Sequence, residues 1–395
     1  MRFLKGNELI VRFMAMNIGS GIAVGMVNFI LPLFALSLDA TTTEIGLIKG
    51  MMGVGDLLIV LPAGFLIDHF GSKKMYTLAC IFGAFMIVVM SYASTPFMLL
   101  GIMVIYGISR SLRTTSLNAS FFRNMTAIGI KKGGWFKGGM TIGAAFIGPL
   151  LGGIAILYLG FPGFFVFASA FLLVPLIIVY LVANGNNSTN VPTGTNSLGD
   201  TFRYYRLLLK NRLLVSATMT ECMNTAFFMT FSTFITVLIV KDFGLSPGIA
   251  AILISLRGAA QILVVFFCGR LLYGNHNHLY MFSYVMTILG LILFGTSSNL
   301  GILALAAILI GAFSGLMTTL TFTNVGSIEG EHGKIAGIFA IGTGFGAVFG
   351  PVYGGIIGDV FGVQDIFLAF IPLFCIMALY YFIAGKNIPR TSPAI

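Results

Sequence analysis

Lys49 and Asp56, Arg110 and Arg113, Lys137, Glu221 and Arg257 interrupt stretches otherwise built of glycine, alanine, leucine, isoleucine, methionine and phenylalanine. A charged side chain in hydrocarbon is costly and normally faces a water-filled path or a partner, so these residues mark where chemistry is done. Arginine and lysine hold anionic groups, arginine through paired parallel hydrogen bonds. Carboxylates at such depth can cycle between protonated and ionised forms as their surroundings alternate between wet and dry. Five cations against two acids leave a net charge of +3, which favours an anionic or amphoteric organic solute over a lipophilic cation. The candidate substrate-binding set is Arg110, Arg113 and Arg257 with Tyr106, Lys137 and Gln261, and Asp56 or Glu221 is the candidate proton carrier. Tyr106 lies one turn from Arg110, which puts a cation and an aromatic on one helix face. The alternative is internal pairing, Asp56 with Lys49 seven residues away and Glu221 with Arg257 across adjacent helices; it leaves Arg110, Arg113 and Lys137 uncompensated.

The elements that must position these residues follow from composition. With 57% hydrophobic and 9% charged residues and a mean hydropathy of +1.00, the chain is an integral membrane protein. Apolar runs long enough for a helix to cross a bilayer lie at 9–36, 44–67, 75–94, 97–118, 134–158, 164–183, 212–240, 247–272, 278–297, 300–322, 335–358 and 365–385. Strand alternation is absent, so the fold is an all-α membrane protein with 12 transmembrane helices. Met1 to Lys5 is too short for a cleaved signal, and span one is expected to stay. At about 1.5 Å per residue, Asp56, Glu221 and Arg257 fall near the midplane and Arg110 and Arg113 nearer the side of the termini.

The spans form two copies of one unit. Gly148-Pro149-Leu150-Leu151-Gly152-Gly153 returns 202 residues later as Gly350-Pro351-Val352-Tyr353-Gly354-Gly355, and Gly160 and Phe165 return as Gly362 and Phe367. Gly64 to Asp68 aligns with Gly269 to Tyr273 at an offset of 205. Two related halves imply two pseudo-symmetric six-helix bundles with the handled solute between them. The expected organisation is an N-terminal bundle over 1–183, a polar, then basic and aromatic linker over 184–211, and a C-terminal bundle over 212–395. Spans three, six, nine and twelve carry no interior charge.

Charge placement orients the chain and excludes nucleic acid as the reason for its net +10. Fifteen loop cations, from Arg2 and Lys5 through Lys73, Lys74, Arg123, Lys131, Lys132, Arg203, Arg206, Lys210, Arg212, Arg270 and Lys334 to Lys386 and Arg390, share the side of both termini, against Lys241 alone opposite. The positive-inside rule then makes this a multi-pass protein of the cell membrane with both termini cytoplasmic. The four cysteines lie in apolar runs and read as packing residues.

Gly64-Phe65-Leu66-Ile67-Asp68-His69-Phe70-Gly71-Ser72-Lys73-Lys74 resembles the signature loop of the major facilitator superfamily, and span number, duplication and central linker fit the same family across the whole chain. The resemblance implies alternating access, with Gly64, Asp68, Gly71, Lys73 and Lys74 as gating residues and Asp68 facing the start of span eleven near Lys334. Span five, with Gly148, Pro149, Gly152 and Gly153, resembles the glycine-proline motif of the family's exporters and antiporters. Arg110 resembles its span-four arginine, although Arg113 and Thr114 replace the expected glutamine and glycine.

The expected function is proton-coupled export of a small anionic or zwitterionic solute, by a monomer with no cofactor and no metal. Proton-linked uptake of a sugar or organic acid, multidrug efflux, and a lipid-modifying membrane enzyme or receptor are the alternatives. His276 and His278 have no acidic or cysteine neighbours that would make a metal site. No phosphate-binding glycine loop or hydrolase serine motif is present, so an ion gradient is the expected energy source and the chain is not expected to be an enzyme.

Overall fold

The computed structural model describes residues 2–124, 128, 133–182, 210–267, 276–328 and 332–384, and the region described is almost entirely helical. Residues 184–209 of the linker expected over 184–211, Arg270 and Tyr273 of the second repeat, Cys268, Lys131, Lys132, Lys386 and Arg390 lie outside the described residues. In chain order the helices are α1 (Arg2–Ser37), α2 (Thr42–Phe70), α3 (Ser72–Met90), α4 (Pro96–Arg123), α5 (Gly133–Thr141, a π-helical turn Ile142–Ile147, then 148–159), and α6 (161–182). Then follow α7 (Arg212–Val237 with a π-helical turn Leu238–Asp242), α8 (Pro247–Phe267), α9 (His276–Thr296), α10 (Leu300–Gly326), α11 (His332–Val360), and α12 (Asp365–Ala369 and Ile371–Ala384).

The helix ends are written in the sequence. Thr41 and Glu44 form a reciprocal capping box at the start of α2, Thr95 caps α4 ahead of Pro96, and Asn211 and Asn299 cap α7 and α10. Gly71 ends α2 at φ +86°, a conformation glycine adopts without a Cβ clash. Pro62 bends α2 by 56°.

A continuous apolar helix over Gly138–Val179 would be twice the length of a membrane crossing, and it reverses at Gly160, where φ is +60°. The packing partners prove the reversal. Gly143, Gly148 and Gly152 climb α1 against Gly21, Gly25 and Phe29; Phe165 then meets Phe34, and Pro175 comes back to Gly19. Gly362, the repeat of Gly160, makes the same reversal between α11 and α12 at φ +115°, and Phe367, the repeat of Phe165, packs on Phe231 of α7.

Helices α3, α6, α9 and α12 turn large apolar side chains outward, including Phe82, Phe85, Leu173, Ile177, Val285, Ile292, Ile376 and Leu379, as the scaffold against lipid must. Cys80 and Cys222 are buried, whereas Cys375 on α12 is exposed rather than a packing residue.

Candidate functional site

Besides a contact of α1 with α7, two seams join the bundles, α2 with α11 and α5 with α8, and glycines make both. On α2, Gly46, Gly50 and Gly53 lie directly against Pro351, Val348 and Val352 of α11, leaving no room for a Cβ. On α5, Gly153 faces Ala251 and Gly248 of α8, and Gly258 of α8 abuts the Ala145 carbonyl. The repeated block thus has one division of labour in both halves. Gly148 and Gly350, and Gly152 and Gly354, pack on α1 and α7 of their own bundles, while Gly153 and Gly355 face the other bundle.

The seams close the end opposite the termini. There the backbone N–H groups of Thr42 and Thr43, in the first turn of α2, donate to the Asp359 carboxylate at the end of α11 at 2.9 and 2.8 Å. Toward the termini the α2·α11 contact reaches Leu57 against Gly344, and beyond it Gly64 and Gly71 have no neighbour within 4 Å of where a Cβ would stand. Gly64 therefore makes no close helix approach in this state. Asp68 reaches Arg123 of its own bundle at 3.5 Å instead of α11, and the side chain of Lys334 lies outside the described residues. Lys73 and Lys74 follow the turn on α3, with Lys74 over the Phe70 ring at 5.7 Å. On the other seam, contact persists toward the termini as far as Gly138 against Phe266.

Between the seams, the N-terminal wall holds an ion pair of Asp56 on α2 with Arg110 on α4. The pair exists because α2 and α4 touch backbone to backbone, Gly55 on Val104 and Gly107 on Met52. Its side chains keep 12% and 16% exposure, so water reaches them, and Asp56 Oδ1 and Arg110 Nε have no partner. The alternative pairing of Lys49 with Asp56 gives way to this one, because Lys49 is buried and donates to Asn28 of α1.

Arg113 and Tyr106 depart from expectation. Both are fully buried and lie on the face of α4 that packs on α3, with the Arg113 guanidinium beside the Tyr106 hydroxyl and against Gly83. Tyr106 accompanies Arg113, and Arg110 alone of the three faces α2. A spacing of three residues turns a helical side chain by 300°, enough to move Arg113 off the wall. Lys137 has its side chain outside the described residues.

The C-terminal wall carries a chain of neutral groups between its two charges. Arg257 on α8 donates to Gln261 at 3.4 Å and to Ser314 of α10 at 3.3 Å, and its guanidinium lies 4.7 Å from the Phe228 ring centre. Asn224 donates to the Ser314 carbonyl and to Thr318 at 2.8 Å, and Thr318 donates to Glu221 at 3.5 Å. Sequence reasoning missed Asn28, Asn224, Ser314, Thr318 and Asp359; the available signals for the middle three were Asn224 three residues after Glu221, and Ser314 and Thr318 four apart on one face of span ten.

Among the described residues no group of three or more His, Cys, Asp or Glu could hold a metal ion. His276 instead pairs with Asn324 at 2.7 Å.

The Major Facilitator Superfamily model matches the sequence twice, over residues 13–238 and 217–394. No curated protein is similar enough in sequence to match. Among solved structures, the nucleoside transporter NupG superposes with a TM-score of 0.75 at 14% identity, covering 96% of this chain and 100% of its own. A bacterial homolog of the human lysosomal transporter Spinster, solved inward-facing and unoccupied, gives 0.75 at 15% identity over 98% of this chain and 99% of its own. The human organic anion transporter MFSD10 (TETRAN) gives 0.71 at 15% identity over 95% and 99%. At these identities the likeness is one of fold.

Proposed function

The chain belongs to the major facilitator superfamily, a family of secondary transporters, and from that premise we propose that it moves a small organic anion together with a proton by alternating access between its two bundles. It sits in the cell membrane with both termini cytoplasmic, by the positive-inside bias of its loops. The closed far end then makes the state described above inward-facing.

The Asp56–Arg110 pair carries this reading. A guanidinium presents one strong bidentate edge to a carboxylate, and the acid and a substrate anion compete for it. When a substrate carboxylate takes Arg110, Asp56 loses its counter-ion in a half-dry site, and the stable outcome is its protonation. Proton and anion therefore bind together and travel in the same direction, which under an inward proton gradient is uptake. Across the cavity, Gln261 and the Asn224–Thr318–Glu221 chain supply hydrogen bonds for polar groups of the solute, while Arg257, 1% exposed like Arg113 and held by Gln261 and Ser314, orders that wall from behind.

Export in exchange for protons, the direction expected from the sequence, has its support in the glycine-proline block of span five. That block packs helices in both halves alike, so it gives no preference for direction.

The test is transport in proteoliposomes with a panel of radiolabelled mono- and dicarboxylates. An acidic exterior should drive accumulation of the substrate above its external concentration, and a proton ionophore should abolish it. Substrate moving uphill against the direction of the protons would establish exchange, and indifference to the pH gradient would remove proton coupling altogether.

A further inference from the structure

Lys49 lies on the same stripe of α2 as Asp56, since seven residues bring a helical side chain back to within about 20° of its starting direction. At about 1.5 Å per residue, Lys49 stands about 10 Å from Asp56 and about 10 Å from Thr42, which Asp359 holds. It therefore occupies the closed half of the path. Gly46, Gly50 and Gly53, on either side of it in sequence, lie directly against α11. In this state Lys49 is 1% exposed, and its Nζ donates to Asn28 Oδ1 of α1. Among the described residues no carboxylate stands within 4 Å of it.

An ammonium taken out of water and given one neutral oxygen is costly to keep. Packing does not require it, because the repeat puts the buried Ile254 of α8 at the equivalent position, at the offset of 205. A charge in a membrane helix that packing does not need normally serves a water-filled path. When α2 and α11 part at the outer end, the stripe from Thr42 to Asp56 borders such a path. Lys49 then comes before Arg110 on the way in.

Taking Arg110 as the site of a substrate anion, we propose that Lys49 is the outer docking residue for that anion. In the outward-open state its ammonium receives a carboxylate from outside and passes it to Arg110, two turns further in. When the outer end closes, Asn28 supplies the oxygen that the carboxylate has withdrawn, and the ammonium is not left bare. A charge in a narrow, low-dielectric cleft raises the rate of capture. Lysine suits this task, because a compact point charge on a flexible stem holds an anion loosely, where the fork of Arg110 fixes one geometry.

Transport in right-side-out and inverted vesicles, without a pH gradient, tests the sidedness. Lys49→Gln should raise the KM for carboxylate entering from outside roughly tenfold with little change in maximal rate. Both directions must reach the same equilibrium, so exit should slow by the same factor while its KM at the cytoplasmic side holds. Lys49→Arg should restore both. An unchanged outer KM, an equal rise in KM at both sides, or a defect that Lys49→Arg does not relieve overturns the proposal. Carboxylate transport by the wild type is read in the same vesicles. If it occurs and Lys49→Gln behaves like the wild type, only the role of Lys49 falls; if it does not occur, the role of Arg110 falls as well. Should Lys49→Gln fail to fold, acylation of wild-type Lys49 by an impermeant reagent added outside during turnover decides. Acylation that carboxylate substrate slows supports the docking role, and no acylation, or acylation indifferent to substrate, overturns it.

Discussion

The two walls of the cavity are built on one plan and finished differently. The repeat places Met52 and Asp56 of α2 at the positions of Arg257 and Gln261 on α8, at the offset of 205, and Gly107 and Arg110 of α4 at those of Gly311 and Ser314 on α10, at 204. The scaffold is shared, since Gly107 abuts the Met52 carbonyl and Gly311 abuts the Arg257 carbonyl. At the next positions the N-terminal wall has an acid and a base bonded to each other, while the C-terminal wall has glutamine and serine, both held by Arg257 from one turn earlier. Duplication thus supplied two equal frames, and a few side chains gave one wall an acid and a base bonded to each other and the other an arginine held by neutral groups.

The largest break in this comparison comes from copying one wall onto the other. Asp56→Gln with Arg110→Ser gives the N-terminal wall the residues of its counterpart, and the frame should tolerate it while transport is lost. Arg110→Ala alone should do worse, because it leaves Asp56 buried without a partner at a cost of about 3–5 kcal/mol. Its melting midpoint should fall well below that of the double variant, and a double variant as unstable as the single one would show that the walls are not interchangeable frames.

A smaller effect tests the frame itself. Gly107→Ala and Gly311→Ala each drive a methyl into a carbonyl of the neighbouring helix, which overpacks by about 1–3 kcal/mol. Chemical or thermal denaturation should give similar losses for both. A loss confined to one would mean that the equivalence of α2·α4 and α8·α10 is only apparent.

The smallest effect concerns the far end. Asp359→Asn removes a negative charge from the start of α2, worth about 1 kcal/mol, and should shift the closed-to-open balance of that end roughly fivefold. Leu157→Ala at the repeat-related position on α5 should leave the balance unchanged. Reactivity of cysteines introduced along the cavity toward a membrane-impermeant reagent outside the cell reports both.

Much of this was legible before the coordinates. The twelve spans, the duplication and the reversals at Gly160 and Gly362 follow from run length and glycine placement, because a helix that must stop inside an apolar run needs a residue tolerant of positive φ. The rotation of each helix about its own axis did not follow. α10 is apolar nearly all round and α4 carries polar residues on more than one face, so no single polar face sets their rotation, and backbone contacts at glycines do. Gly107 fixes α4, and with it sends Arg110 toward α2 and Arg113 with Tyr106 toward α3. The state of the molecule was equally hidden, since nothing in the residue pattern says that Asp68 lies on Arg123 and that Gly64 stands clear of any neighbour. Asp359 looked like an ordinary acid at a helix end, and only the approach of α2 from 317 residues away gives it a partner.

The bond between Asp359 and the first turn of α2 has no counterpart across the molecule. Where α2 offers two N–H groups, α8 begins with Pro247, which has none, and where α11 offers Asp359, α5 has Leu157. The α5·α8 seam also stays in contact toward the termini, as far as Gly138 and Phe266, when α2 and α11 have parted. One edge of the protein is accordingly a hinge and the other a door with a catch. Spin labels across α2 and α11 should change separation strongly through the transport cycle, and labels across α5 and α8 should scarcely move.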